Sequence, residues 1–462
     1  MEAAGLPTIT IIGEQFEPVA RLLAEAGGMT TLPFLIEPSS HGTTVTNDGP
    51  GVALAHYDEV VCALTVQPEG ELARPEQEPE TTLAEKSASG TADLGGVHSG
   101  GLLDVADFGA WDDLARARGW TDGLPVAPPA ADRVDAILDY LSLEPGYSLG
   151  RVGPANGDAT IEQVAIQCAM AGCRPEHVPV VLATIEAMLD PAFNLGGMQA
   201  TTNPCAPLAV VCGPIVSELD FNVGDGVFGG GGWANAAIGR AVRLVMWNIG
   251  DGMPGRSDKS PLGQPAKYAF CIGEGRGGVP WTSLGSDFGF DEAESCVVVF
   301  ACQSPYPFAV AGSAERMLRV LAESIPSTGL NHFHAAGQFM LTFTPRVAQT
   351  LAEAGFSRED VRRYIFDHAR YDLGDLRRRG LVDADDQPAD PVANYWGAEV
   401  LDQVRPSTQT LPDAARLKVC ESEQDVHILV SGGTGQFFVG FSPGWGGYGG
   451  YAMARPIIRP DT

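Results

Sequence analysis

The 462-residue chain carries 58 acidic and 29 basic side chains, a formal net charge of −29, and 44% of its residues are hydrophobic. A charge of this sign repels phosphate backbones and anionic lipid surfaces, so we expect neither nucleic acid nor a membrane as a partner. The length and apolar content allow a large buried core and an enzyme. Nine scattered cysteines, no run of 18 apolar residues and no leader pattern predict a cytoplasmic protein with free thiols.

Residues 1–65 have the pattern of an incomplete α/β domain. The spacing predicts strands at 8–12 and 32–37 and helices at 14–26 and 52–65. Two strands are too few for a stable sheet, so this piece needs other strands to complete it. Residues 66–101 are rich in Glu, Pro, Ser, Thr and Gly and contain no aromatic side chain, which predicts a flexible acidic linker.

Residues 102–462 are predicted to form one large domain in which helices and strands alternate. The predicted helices lie at 111–118, 131–141, 160–171, 175–189, 233–249, 314–324, 346–354 and 358–369, and the strands at 208–211, 268–272, 296–301, 338–344 and 426–430. This alternation is typical of an α/β or α+β fold.

Cys173 is the best-placed thiol in the sequence. It follows Gly172 at a helix break and precedes Arg174, so it is expected at the start of the next helix beside a cation, where a thiolate is stabilised. His177 lies one helical turn further on and is a candidate base for Cys173. A straight helix would place Cys168 about 140° away from Cys173, which argues against a redox or metal pair. The plain alternative is a buried thiol that packs a tight helix junction.

Three loops are candidates for substrate binding. Asn203 and Cys205 lie in a segment held open by two prolines, and Cys205 is a second candidate catalytic thiol. A glycine run at 229–232 precedes the helix predicted at 233–249, and a second glycine-rich loop follows the strand predicted at 426–430. Both loops could bind an anion. The predicted substrate-binding residues are Arg174, Asn203, Gly230, Gly231, Gly232, Asn235, Gly433 and Gly435.

Motifs for nucleotides and metals are weak. Two G-x-G-x-x-G matches, beginning at Gly224 and Gly273, lack the flanking strand, helix and acidic residue of a dinucleotide site, and no P-loop pattern occurs. His332 and His334 would point to one side of an extended chain and are weak candidates for metal ligands. The sequence therefore supports no nucleotide-binding motif and leaves the cofactor unknown, with a metal as an open alternative.

The chain resembles a known family in two stretches. Residues 8–21, 32–36 and 58–65 are similar to the second half of the domain in UGSC-motif proteins, which are named for a selenocysteine- or cysteine-Gly-Ser-Cys motif. The segments 118–125, 171–176, 263–267 and 361–364 resemble the large domain often fused to it. The motif itself belongs to the missing half-domain, and no Cys-Gly-Ser-Cys occurs here. The resemblance implies that a small motif-bearing protein docks on residues 1–65, unless the redox function is lost.

Three functions remain open. The resemblance implies the large, oligomeric subunit of a thiol- or selenol-dependent enzyme that makes or breaks a carbon–heteroatom bond on a small organic acid or amine. In that function Cys173 would be the nucleophile and His177 its base. The first alternative is a non-catalytic scaffold that shapes a partner's active site. The second is a metal-dependent hydrolase or lyase using His332 and His334.

Overall fold

The computed structural model describes residues 10–13, 21, 34–37, 61, 103–334, 336–381, 411–447 and 449–460. The chain divides into two compact units, one formed by 1–82 with 372–415 and the other by 83–371 with 416–462. The linker predicted at 66–101 and the helices predicted at 14–26 and 52–65 lie outside the described residues, apart from Arg21 and Val61.

The described helices and strands are named here in chain order. The helices are α1 Phe108–Ala117, α2 Ala131–Leu141, α3 Ile161–Ala171, α4 Val178–Met188, α5 Leu195–Ala200, α6 Ile215–Glu218, α7 Trp233–Asn248, α8 Ala314–Ser324, α9 Asn331–His334, α10 Pro345–Glu353, α11 Arg358–His368 and α12 Leu373–Arg378. The strands are β1 Thr10–Gly13, β2 Phe34–Glu37, β3 Ser148–Val152, β4 Gly157–Thr160, β5 Ala206–Cys212, β6 Cys271–Gly273, β7 Cys296–Cys302, β8 Tyr306–Ala309, β9 Phe339–Phe343, β10 Arg370–Asp372, β11 Arg416–Lys418, β12 Val426–Val430, β13 Phe438–Pro443 and β14 Met453–Pro456.

In the smaller unit, β1 and β2 pair in parallel, in the register Thr10↔Phe34 to Gly13↔Glu37. Both strands overlap the ranges predicted for them, 8–12 and 32–37. Among the described residues, no third strand pairs with these two.

The central sheet of the larger unit has the order β14-β7-β5-β6. Strand β5 runs parallel to β6 and antiparallel to β7, and β14 is antiparallel to β7. Every residue of β5 and β7 is buried because apolar side chains cover both faces of the sheet. Helices α3, α4 and α7 belong to the core on one face, together with Ala209, Val211 and Val299. Leu208 and Val298 point into the core of the other face.

A second mixed sheet has the order β12-β9-β13-β8. Strands β9 and β12 are parallel, and β13 runs antiparallel to both β9 and β8. Helix α11 packs against β12 and helix α10 against β9. Together the two sheets and their helices confirm the predicted mixed α/β fold.

Several strands of the larger unit were not predicted. The hairpin β3–β4 and strands β8, β13 and β14 are short or contain Gly or Pro, so their sequences lack the apolar alternation of a strand. Pairing with apolar neighbours fixes them as strands. The strand predicted at 268–272 was also placed too early, because β6 begins at Cys271 after a 3₁₀ turn at Pro265–Lys267.

Candidate functional site

Helix α3 ends in a turn built on Gly172. This glycine has a left-handed backbone conformation (φ 83°), and its N–H donates to the Ala169 carbonyl across 3.1 Å. The N–H of Cys173 donates to the Cys168 carbonyl across 2.9 Å. These two bonds form a Schellman motif, which brings the residue after the glycine against the fourth residue from the helix end. The turn therefore places Cys173 against Cys168.

The prediction that Cys168 and Cys173 do not share a face is wrong. It assumed a helix that continues straight, whereas the chain reverses at Gly172. The turn brings the Cys168 thiol close enough to be the main influence on the pKa of Cys173. The signal was present in the sequence, because a glycine at a helix end predicts this motif and hence the contact between its flanking positions.

The pKa values of the two thiols are shifted in opposite directions. The hydrogen bond from the Cys168 thiol lowers the pKa of Cys173 to about 7, against the effect of burial. A hydrogen bond with His177 and the nearby charge of Arg133 lower this pKa further. Burial is the main cause that raises the pKa of Cys168 well above its usual value. Cys173 is therefore the thiolate of the pair and Cys168 its protonated donor.

His177 is buried, with 3% of its surface exposed. Its Nδ1 accepts the backbone N–H of Arg174 at 3.3 Å, so the neutral ring carries its proton on Nε2. This hydrogen bond fixes the ring beside Cys173. The ring is thus held as a hydrogen-bond partner of the thiolate.

Trp233, the first residue of α7, covers the turn that holds these groups. Its Nε1–H donates to the Gly172 carbonyl at 2.9 Å, and its ring packs nearly perpendicular to the His177 ring, with the two centroids 6.3 Å apart. The Arg174 guanidinium lies 4.0 Å from the Trp233 ring centroid. Cys173 is only 6% exposed, whereas Trp233 is 55% exposed. Trp233 and Arg174 therefore lie between the thiol site and solvent.

Cys205 lies elsewhere, in a narrow cleft that also includes Arg243 and Lys267. Burial raises the pKa of Cys205 to about 12, so this thiol is protonated at neutral pH. Its backbone N–H donates to Asn203 Oδ1 at 3.0 Å, which shows that the Asn203 side chain holds its own loop.

Hydrogen bonds between two asparagines hold the glycine run at 229–232, which precedes α7. Asn235 Oδ1 accepts the Asn222 N–H at 2.8 Å, and Asn235 Nδ2 donates to the Asn222 carbonyl at 3.0 Å. A side chain added at Gly232 would collide with Asn235 Oδ1. Gly230 and Gly231 are exposed. Both polar atoms of the Asn235 side chain are therefore used within this loop.

The glycine loop after β12 lies against an acidic side chain. A Cβ at Gly433 would overlap the carboxylate of Asp225, while Gly435 is exposed and has open space around it. Ser431, at the start of the loop, donates its hydroxyl to the Gly273 carbonyl at 2.8 Å. Asp225 would repel a bound anion at Gly433.

His332 and His334 lie on the short helix α9, not on an extended segment. The extended geometry expected for this pair therefore does not apply. His332 is buried, and its Nε2 is 2.9 Å from the Gln338 carbonyl. Among the described residues, no group of three or more His, Cys, Asp or Glu side chains is arranged to hold a metal ion.

Glu274 is a candidate that the sequence analysis did not single out. It directly follows β6, lines a cavity of about 260 Å³, and accepts hydrogen bonds from Ser283 Oγ at 2.5 Å and Leu284 N at 3.0 Å. The thiol of Cys212, opposite Cys296 across two strands, also bonds to it. Burial raises the pKa of Glu274. Its position at the carboxyl end of a parallel strand was the available signal.

Comparisons with protein-family models, curated proteins and solved structures found no match to this chain. In the part of the chain that the structure describes, no single helix is long and apolar enough to cross a membrane.

Proposed function

We propose that this chain is a thiol-dependent enzyme in which the Cys173 thiolate attacks a small organic substrate at a carbon bonded to a heteroatom. The observation that carries the proposal is the helix junction that brings Cys168, Cys173 and His177 together. A thiolate is the reactive form of cysteine, and these neighbours favour it near neutral pH.

In the proposed step, the sulfur of Cys173 forms a bond to carbon while the carbon–heteroatom bond breaks. The heteroatom leaves with the bonding electron pair. Cys168 keeps its proton, because its pKa is raised, and so donates a hydrogen bond without competing as a nucleophile. The bond between Arg174 N–H and His177 Nδ1 keeps the imidazole in place. We assign the nucleophile to Cys173 and not to Cys205, whose thiol is protonated at neutral pH.

The test is the pH dependence of alkylation by iodoacetamide, followed for each cysteine by peptide mass spectrometry. Cys173 should react fastest at pH 7, with a midpoint near its pKa of about 7. Cys205 should stay unmodified until far higher pH. Small amino and hydroxy acids are then screened for turnover by NMR with the wild type, Cys173→Ser and the matched control Cys205→Ser. Equal reactivity of the two thiols, or turnover that survives in Cys173→Ser, would contradict the proposal.

The eight described cysteines are all free thiols, which supports our proposal of a reducing, cytoplasmic location.

A second proposal is that the chain acts as one subunit of a larger assembly, with a small motif-bearing protein docked on residues 1–65. The parallel pair β1–β2 supports it, because a two-stranded sheet is marginal in water and gains stability from further strands. Native mass spectrometry of the chain purified from its host is the test. A stoichiometric small protein carrying a Cys-Gly-Ser-Cys or selenocysteine equivalent is expected, and a homo-oligomer with nothing bound would overturn this proposal.

A further inference from the structure

The turn at Gly172 gives Cys168 and Cys173 the backbone separation that a disulfide bond needs. The hydrogen bond from the Cys173 N–H to the Cys168 carbonyl is 2.9 Å long. With standard bond lengths on either side of this bond, the two Cα atoms cannot be more than about 6.8 Å apart. Disulfides join residues whose Cα atoms are about 4.4–6.8 Å apart. The backbone of the turn is therefore compatible with a bond between the two sulfur atoms.

The two side chains occupy the same part of the core. A Schellman turn brings the residue after its glycine into contact with the residue that accepts its N–H. Cys168 and Cys173 belong to one apolar core cluster. Cys168 is completely buried, whereas Cys173 is 6% exposed. A reagent that enters from solvent therefore meets Cys173 first, and Cys168 lies behind it.

The pKa values of the two thiols suit two different steps of an oxidation. The pKa of Cys173 is lowered to about 7, chiefly by Cys168, so a large fraction is thiolate at neutral pH. The thiolate is the form of cysteine that is oxidised to a sulfenic acid. Burial raises the pKa of Cys168 well above its usual value, which keeps this thiol out of the first step. A sulfenic acid condenses with a neighbouring thiol to form a disulfide.

The cover over this turn limits the size of the oxidant. The Nε1–H of Trp233 donates to the Gly172 carbonyl at 2.9 Å, and the Arg174 guanidinium stacks on the Trp233 ring at 4.0 Å from its centroid. Hydrogen peroxide is close to water in size and needs only a narrow path past these side chains. A large disulfide or a protein thiol would have to displace Trp233.

We propose that Cys173 and Cys168 form a reversible disulfide when a small hydroperoxide oxidises Cys173. The Cys173 sulfur attacks the terminal oxygen of the hydroperoxide, the O–O bond breaks, and the alkoxide or hydroxide that leaves takes a proton from solvent. The Cys168 sulfur then attacks the sulfenic acid of Cys173. An S–S bond forms, the S–O bond breaks, and hydroxide leaves with the Cys168 proton as water. Two thiols are thus oxidised, and one hydroperoxide is reduced to an alcohol, or to water, and one further water.

The inference rests on the Cys173 thiolate of the proposed function, and it gives that site a second state. In the disulfide, Cys173 has no thiolate with which to attack carbon. An external dithiol restores both thiols by thiol–disulfide exchange and is itself oxidised to a disulfide. A hydroperoxide would therefore switch the site off until a thiol reductant switches it on again.

The test uses a peptide that contains these two cysteines and no other. Cleavage after Glu162 and Glu176 by a glutamyl endopeptidase releases residues 163–176. After the wild-type chain is treated with hydrogen peroxide and its remaining thiols are blocked with N-ethylmaleimide, this peptide should be unblocked and two hydrogens lighter. The rate should rise with pH, with a midpoint near 7, and dithiothreitol should restore both thiols. A rate independent of pH, or oxidation of Cys173 to a sulfinic acid while Cys168 stays free, would overturn the proposal.

A variant isolates the second step. Cys168→Ser leaves Cys173 without a thiol partner, so its sulfenic acid should persist and react with dimedone several-fold more than in the wild type. Cys205→Ser removes a thiol outside the turn and is the matched control, which should form the disulfide as the wild type does. Equal dimedone labelling of Cys173 in the wild type and Cys168→Ser would contradict the proposal. If Cys168→Ser does not fold, the wild-type peptide decides alone.

The proposed function and this inference can fail separately. If Cys173 is alkylated fastest at pH 7 but the peptide 163–176 never loses two hydrogens, the disulfide is wrong and the nucleophile stands. If the disulfide forms but turnover survives in Cys173→Ser, the proposed function is wrong and the redox pair stands.

Discussion

The backbone N–H of Cys173 donates to the carbonyl of Cys168 across 2.9 Å, and this bond brings the two thiols together. Because it closes the end of a helix, the contact depends on a local turn and not on distant packing. The turn also shifts the pKa values of the two thiols in opposite directions. Interaction with Cys168 lowers the pKa of Cys173, whereas burial raises that of Cys168.

Removing the donor of this pair should make Cys173 less acidic. In Cys168→Ala, the thiolate loses its strongest hydrogen bond, and we expect the pKa of Cys173 to rise by about one to two units. Cys168→Ser keeps a hydroxyl donor and should stay closer to the wild type. The measurement is the pH profile of Cys173 alkylation. Identical profiles for the Ala and Ser variants would show that the hydrogen bond does not set this pKa.

The position of Trp233 predicts control of access to the thiol. Trp233→Ala removes the ring that covers the Gly172 turn, so alkylation of Cys173 at pH 7 should accelerate several-fold. Trp247→Ala is the matched control, because Trp247 lies on the same helix and donates Nε1–H to the Gly119 carbonyl at 2.8 Å. The two rates are compared by quenched labelling. A similar acceleration in both variants would point to general loosening of α7 instead.

The left-handed conformation of Gly172 predicts a cost for any side chain there. No heavy atom lies within 4 Å of an added Cβ, so the penalty of Gly172→Ala is conformational, about 1 kcal/mol of unfolding free energy. Gly196→Ala, inside α5 and equally unobstructed, should not destabilise the protein and is the control. Urea unfolding measures both. A loss in Gly196→Ala as large as that in Gly172→Ala would argue against backbone strain as the cause.

The burial of His427 predicts that the folded protein loses stability in acid. It is 4% exposed, stacked on Phe288, and its Nε2 lies 3.1 Å from Gln338 Oε1. Burial, together with the charges of Arg362 and Arg358, lowers its pKa from 6.5 to about 3. The unfolded chain therefore binds this proton more tightly than the folded chain. The contribution of His427 to the free energy of unfolding is complete above pH 6.5 and is lost as the pH falls towards 3. The loss amounts to roughly 4–5 kcal/mol.

The measurement is the difference in unfolding free energy between the wild type and His427→Asn at pH values from 7 to 4. The variant should lose less stability on acidification, whatever its stability at pH 7. His368→Gln, at an exposed histidine, is the control and should follow the wild type. Parallel curves for the wild type and His427→Asn would contradict a buried neutral imidazole.

The candidate site shows where reasoning from sequence succeeds. Cys173 and His177 were singled out from a glycine, a proline and one helical turn of spacing, all of which act within a few residues. Cys168 was set aside because the helix was assumed to continue. Arg133 was not considered, since it lies on α2 and reaches Cys173 through helix packing that leaves no local signal.

The sequence by itself determined the mixed α/β pattern and elements such as α2, α8 and β12, whose predicted bounds agree with the structure. Their periodicity and caps depend on neighbouring residues. Only the tertiary structure decided the Gly- and Pro-containing strands β8, β13 and β14 and the cleft around Arg243. The reason is physical: these features depend on hydrogen bonds and charges from distant segments, which no short stretch of sequence specifies.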